Sequence, residues 1–138
     1  MGDVATVISE KVISDLIGKL GDNDADDTCR ALLKLGAPAL PHLQEAFSGT
    51  PNRLVRFRLA QVIAQSRSVD AVPFLRDLLD HEDPEFWKTA LDGLVYVGWH
   101  EATARREVLS VLDTARGQAD LQRRDWIDEA RDKVRENV

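Results

Sequence analysis

The sequence predicts an all-α fold of about eight antiparallel helices in four stacked pairs. Apolar residues recur at steps of three and four through nearly all of its 138 residues, and no segment shows the alternation typical of a strand. Glycine, proline and short polar residues interrupt this pattern at regular intervals. The connections are therefore short, and short connections force neighbouring helices to run antiparallel.

In the N-terminal half, four helices are expected. The first covers about residues 4–20 and ends at Gly21, where a left-handed turn favours glycine. The second begins in the acidic segment 22–27, whose side chains accept hydrogen bonds from a helix N-terminus, and it stops at Gly36. The third starts at Ala37 and Pro38, because proline loses no hydrogen bond in a first turn. The fourth covers about residues 53–66, after a turn.

The C-terminal half predicts four more helices. The fifth begins near Ser68 and is broken by the segment 81–84. The sixth covers about residues 85–97 and ends at Gly98. The seventh carries its apolar stripe between residues 104 and 115, with Gly117 following it. The last covers about residues 120–137.

Composition fits one repeat domain spanning residues 1–138. Hydrophobic residues make up 43% of the chain and charged residues 30%, which is typical of soluble globular proteins. A single cysteine, Cys29, allows no internal disulfide, and residues 1–10 contain no basic leader, so we expect a cytoplasmic protein. The abundance of Ala, Leu, Asp and Arg favours a bacterial origin. The net charge of −6 argues against a general nucleic-acid binder and no segment predicts a membrane span.

The sequence repeats itself. Residues 39–47 align with residues 71–79 at a constant offset of 32, with identical Ala, Pro and Leu positions. The following helices also correspond, since the apolar pattern from Val55 matches the pattern from Phe86 at an offset of 31. A period of about 30 residues with two helices in each copy is typical of stacked helical repeats, in which each pair buries its apolar face against the next.

These units resemble HEAT repeats, in particular the bacterial type called PBS-lyase HEAT-like repeats. Residues 37–43 are similar to that family's first-helix phrase, and residues 83–91 to its second-helix phrase, although Trp87 stands where the family usually has arginine. The resemblance implies an α–α superhelix of HEAT-like repeats and, chiefly, a role in protein recognition. Some relatives have other roles, including chromophore-lyase relatives and helical-repeat DNA glycosylases.

The fourth helix carries the first group of candidate binding residues. Arg53 and Arg56 are three residues apart, with Gln61 about one turn further on. In a HEAT-like pair, the second helix faces the concave side, so this group predicts a site for an acidic partner or a phosphate. The alternative is a solvated face whose arginines pair with neighbouring acids such as Glu85 or Asp92.

The sixth helix carries the second group, which lies off or beside its apolar stripe. This group consists of Lys88, Asp92, Tyr96 and Trp99. Exposed aromatic residues are typical of interface hot spots, and Tyr96 with Trp99 is the expected surface pair. Trp87 and Trp126 either join this surface, or pack between repeats or cap the open end of the stack.

No catalytic or metal motif stands out. The acidic segment beginning at Asp22 resembles a calcium loop but lacks its glycine and its final glutamate, so helix capping is the better interpretation. His42, His81 and His100 do not pair at ligand spacing, and Cys29 falls on an apolar stripe. We therefore expect no metal, no cofactor and no catalytic residue.

Together these observations predict a non-enzymatic protein-binding module that uses the concave second-helix face. It would act as an adaptor or as a stoichiometric inhibitor of the immunity type, and as a monomer or weak homo-oligomer. The alternative is a helical-repeat enzyme or a lyase-like protein that binds a ligand or a nucleic acid.

Overall fold

A computed structural model describes residues 11–21 and 25–136, and every regular element in these ranges is helical. The start of the first helix at Val4 and Ile8 and the acidic segment 22–24 lie outside the described residues. Residues 11–18 form α1. The remaining α-helices are α2 (Ala25–Leu35), α3 (Leu40–Gly49), α4 (Arg53–Gln65), α5 (Val72–Leu78), α6 (Pro84–His100), α7 (Arg105–Gln118) and α8 (Leu121–Glu136). This arrangement confirms the all-α prediction. No helix in the described ranges is long and apolar enough to cross a membrane.

Local capping explains where several helices begin and end. The Asn52 side chain accepts a hydrogen bond from the backbone N–H of Val55 at 3.1 Å and starts α4. Asp83 accepts one from the N–H of Glu85 at 3.0 Å, and Pro84 occupies the first turn of α6. Helix α2 ends before Gly36, whose φ of 75° is the left-handed conformation that glycine adopts without strain.

A 3-10 turn precedes α3, α5 and α7, where the sequence predicted a continuous helix for the first two. These turns are Ala37–Ala39, Val69–Ala71 and Ala102–Ala104, and the last alanine of each is buried. Proline follows two of them, as Pro41 and Pro73, and its missing N–H interrupts the α-helical hydrogen-bond pattern there. The third turn forms without a proline, so the small buried alanine is the feature that all three share.

Gly98 does not end α6, which continues to His100, so that predicted boundary was wrong. A Cβ atom at Gly98 would lie 3.0 Å from Cγ1 of Val134 on α8. The glycine therefore serves close helix packing inside α6, rather than a left-handed turn at its end.

The chain forms two compact units, Met1–Ser66 and Arg67–Val138. In the first, α3 packs on α4 and α2 packs on α4, around a core that includes Leu20, Leu32, Leu43, Leu59 and Ile63. In the second, α6 packs on α5, α7 and α8, and α7 packs on α8. Its core includes Leu75, Phe86, Leu94, Val108, Leu112 and Val134. In each unit, the second helices of two consecutive pairs lie against each other. These are α2 and α4 in the first unit and α6 and α8 in the second.

Candidate functional site

Tyr96 and Trp99 form an exposed aromatic pair on α6. Their side chains are 37% and 38% exposed, and their rings meet edge to face with centroids 6.1 Å apart. They lie three residues apart, outside the stripe of α6 that carries the buried Phe86, Ala90 and Val97. The predicted surface pair therefore occupies one continuous patch of α6.

Helix α8 completes this patch. The Trp99 indole N–H donates a 2.8 Å hydrogen bond to the backbone carbonyl of Lys133. Further along, the Lys88 ammonium lies 4.4 Å from the centre of the Trp126 ring, which is within cation–π distance. The sequence-predicted residues of α6 thus border α8 at both ends, and the surface belongs to two second helices.

Trp87 and Trp126 differ in role. Trp87 is only 2% exposed, whereas Trp126 is 41% exposed. Their rings meet edge to face with centroids 6.1 Å apart, so Trp87 packs beneath the surface ring. Burial makes Trp87 a packing residue, and exposure makes Trp126 part of the surface.

Asp92 lies between these two ends of the patch. Burial of its carboxyl raises its pKa, nearby Lys133 opposes this by lowering it, and Glu129 raises it further. Lys133 and Glu129 pair with each other at 3.4 Å on α8. Asp92 is therefore a partly exposed residue whose carboxyl is half-buried near the charges of Lys133 and Glu129 on α8.

Helix α8 gives three residues to this surface: Trp126, Glu129 and Lys133. Glu129 and Lys133 were not predicted from the sequence, and Trp126 was left open between this surface and packing between repeats. They follow one another at steps of three and four along α8, which places them on one side of the helix. That spacing was available in the sequence. What was not available is that this side of α8 faces the Lys88, Asp92 and Trp99 side of α6.

In the first unit, the candidate residues of α4 do not share a surface. The Arg56 guanidinium is half-buried and lies 4.6 Å from the centre of the Phe47 ring on α3. Its Nε is buried without a hydrogen-bond partner among the described residues. Gln61 instead lines a cleft between α2 and α4, and Arg53 is exposed at the start of α4. Arg56 therefore packs within its own helix pair.

The cleft beside Gln61 contains Cys29. Its volume is about 260 Å³, and its lining includes Asp26, Arg30 and Gln65. Burial raises the pKa of the half-buried Cys29 thiol, Arg58 opposes the rise, and Asp26 adds to it. This environment disfavours the thiolate form that a nucleophile or a metal ligand requires. Within the described ranges, no group of three or more His, Cys, Asp or Glu side chains is arranged to hold a metal ion.

The helix pairs and their periodic sequence define a protein built from α-helical repeats. A family model for HEAT repeats matches residues 40–131, which is more than half of the chain. The chain therefore belongs to the HEAT-repeat family, whose repeats commonly mediate protein–protein interaction. The PBS-lyase type remains a prediction. Neither the comparison with curated proteins nor the comparison with solved structures gives a match.

Proposed function

We propose that this chain is a non-enzymatic protein-binding module, an adaptor or a stoichiometric inhibitor of the immunity type. It binds its partner through the surface formed by the second helices α6 and α8. The observation that carries this proposal is the Tyr96 and Trp99 pair, two large aromatic side chains that remain more than one-third exposed on a rigid helix. Such side chains are enriched at the centres of protein interfaces, because they bury a large area at a small cost in side-chain entropy.

The other candidate residues have different places in this proposal. Lys88 and Asp92 flank the aromatic pair on α6 and are part of the same surface. Arg53 and Gln61 belong to the first unit, where Arg53 is exposed at the start of α4 and Gln61 lines the cleft between α2 and α4, and each is proposed as a separate contact. Arg56 supports the first unit through its contact with Phe47.

The test is affinity capture from a lysate of the organism that carries this sequence, with the purified chain as bait. Three baits are compared: the wild type, Tyr96→Ala, and the control Arg106→Ala, which changes an exposed residue of α7. Circular dichroism first establishes that all three are equally helical. We expect a stoichiometric protein that is captured by the wild type and the control but is lost from Tyr96→Ala.

Two results would contradict the proposal. A protein captured equally by all three baits would mean that Tyr96 takes no part in binding. A wild-type bait that captures no protein at stoichiometric yield would contradict the protein-binding role itself.

A further inference from the structure

Most basic side chains of α8 lie on a different side of the helix from its exposed acidic side chains. The helix contains five basic and five acidic residues, so its formal charge is zero. Most of its basic groups turn toward other elements of the second unit. The Arg123 guanidinium donates to the backbone carbonyls of Leu79 and His81 at 3.0 and 2.9 Å. Arg123 therefore binds the end of α5 and the turn that follows it.

Two further arginines of α8 turn toward α7. Arg124 donates from Nε to the carbonyl of Arg116 at 3.3 Å, and Arg131 pairs with Asp113 at 2.8 Å. Arg135 lines a cleft with Arg105 and Arg106 near the start of α7. The α7 side of α8 therefore takes up most of the positive charge of the helix.

Three of the five acidic residues of α8 lie together on its solvent side, whereas Asp128 pairs with Arg116 of α7 and with Arg131. Asp125, Glu129 and Asp132 follow at steps of four and three along α8, and all three are exposed. Neither Asp125 nor Asp132 forms an ion pair with any residue in the described part of the chain. With Asp92 of α6, four carboxylates stand against the ammonium groups of Lys88 and Lys133. This side of the second unit is therefore acidic in balance, and its charge is held beside exposed aromatic rings.

Resting on the proposed function, we propose that the partner presents arginine side chains to this surface. We define the α6–α8 face by its exposed rings and acids: Asp92, Tyr96, Trp99, Asp125, Trp126, Glu129 and Asp132. A guanidinium group stacks its plane on an aromatic ring and directs its N–H groups to carboxylates at the edge of that ring. Exposed rings and carboxylates are neighbours on both helices, since Tyr96 follows Asp92 by four residues on α6 and Trp126 lies between Asp125 and Glu129 on α8. This combination suits an arginine-bearing protein segment.

The surface already contains one contact between a cation and an aromatic ring. The Lys88 ammonium lies over the Trp126 ring, so a cation is stable against an exposed indole at this surface. An arginine of the partner would stack on the Tyr96 and Trp99 rings, with Asp92, four residues before Tyr96, and Glu129, whose charge acts on Asp92, as the nearby carboxylates. Arginine is favoured over lysine because a strongly hydrated ammonium cannot stack and bridge at once.

The probe is a fluorescein-labelled peptide of alternating arginine and glycine, titrated with the full chain at about 0.15 M salt, and binding is followed by fluorescence anisotropy. A lysine–glycine peptide of equal length and charge is the matched ligand. We expect the arginine peptide to bind more tightly than the lysine peptide. Tyr96→Leu, which keeps an apolar side chain but removes the ring, should weaken the arginine peptide roughly twofold to fivefold.

Charge is tested by two double variants that remove the same number of acids. Asp125→Asn with Asp132→Asn acts on the α6–α8 face, and Asp77→Asn with Glu107→Gln acts on exposed positions of α5 and α7. We expect the first pair to weaken arginine-peptide binding roughly threefold to tenfold and the second pair less than twofold. Equal weakening by both pairs, or equal affinity for both peptides with no effect of Tyr96→Leu, would overturn the proposal.

The two proposals fail in different ways. If lysate capture depends on Tyr96 but neither peptide binds, the protein-binding function stands and the arginine-bearing partner is wrong. A second copy of this chain is the other occupant to test, because the cleft of Arg105, Arg106 and Arg135 presents arginines of its own. Sedimentation tests this possibility. A dimer that is disrupted by Asp125→Asn with Asp132→Asn, in a chain that binds neither peptide, would assign the α6–α8 face to self-association and overturn the proposal.

Discussion

Gly98 of α6 lies directly against Val134 of α8. A Cβ atom added at Gly98 would be 3.0 Å from Cγ1 and 3.3 Å from Cγ2 of Val134, and Val134 is fully buried. Both methyl groups face the glycine, so rotating the stiff β-branched side chain to another rotamer would still leave one methyl group facing it. This contact sets how closely α6 and α8 approach, and therefore the spacing of the α6–α8 face.

We expect Gly98→Ala to destabilise the protein, although alanine is the better helix former by about 1 kcal/mol. Overpacking a rigid core costs about 1–3 kcal/mol, so we expect a net loss of about 1 kcal/mol in the free energy of unfolding, measured by urea denaturation. The control is the Gly98→Ala and Val134→Ala double variant, in which the clash is absent. Together with the two single variants, this double variant forms a double-mutant cycle. If the stability losses of Gly98→Ala and Val134→Ala simply add in the double variant, the contact between the two residues does not limit the packing.

Arg123 should be a strong stabilising residue of the second unit. It donates to the carbonyls of Leu79 and His81, and its guanidinium carbon lies 5.3 Å from the centre of the Trp87 ring. Hydrogen bonds from charged groups contribute about 1.5–3 kcal/mol, so Arg123→Ala should lower the free energy of unfolding by about 2–3 kcal/mol. The matched control, Arg124→Ala, breaks a single 3.3 Å hydrogen bond and should cost less than about 1 kcal/mol. Similar losses in the two variants would contradict this assignment.

Asp92 should make stability depend on pH in a defined direction. Burial raises the pKa of its carboxyl, Lys133 opposes the rise and Glu129 adds to it, so the folded protein holds this proton more tightly than the unfolded chain. The resulting stabilisation is complete below the unfolded pKa and is lost as the pH rises through the folded pKa. Asp92→Asn has no such dependence, so it should gain stability relative to the wild type between about pH 4 and pH 7.

Urea denaturation at several pH values measures this difference. Asp132→Asn, which removes one carboxylate from the exposed side of α8, controls for the loss of a surface charge. If the free energies of unfolding of the wild type and of Asp92→Asn differ by a constant amount across this pH range, Asp92 is equally solvated in the folded and unfolded states.

Cys29 should react slowly with thiol reagents in the folded protein. Burial raises the pKa of its thiol, and the thiolate is the reactive species, so a smaller fraction is reactive near pH 8. We expect the rate with a chromogenic disulfide reagent to rise severalfold when the chain is unfolded in urea, after correction with a free-cysteine standard in the same urea. Equal corrected rates would mean that Cys29 is accessible and unperturbed in the folded state.

Much of the fold follows from local signals in the sequence. The starts of α4 and α6 agree with the predicted boundaries within one residue, because Asn52 and Asp83 bind backbone N–H groups of the next turn. Gly36 ends α2 as predicted, since its left-handed conformation is a local property of the chain. The offset of about 32 residues between copies likewise indicated the repeat family before any tertiary contact was known.

The candidate surface was less predictable. Arg56 and Gln61 are five residues apart, which rotates them by about 140° around a helix, so their separate locations on α4 were implicit in helix geometry. Lys88, Asp92 and Trp99 did prove to share a side of α6. Their partner residues on α8 are more than 25 positions away in sequence, and no local pattern pairs them.

The sequence by itself determined where helices form and that they come in repeated pairs, because periodicity, caps and turn residues act within a few positions of the chain. The tertiary structure decided which contacts each helix face makes. Gly36 and Gly98 are the same residue type, yet one ends a helix and the other admits Val134 beside α6. Arg123, Arg124 and Arg131 of α8 turn toward α5, the following turn and α7, because the carbonyls and the carboxylate that they bind belong to those elements. Asp125, Glu129 and Asp132 stay exposed on the solvent side of α8.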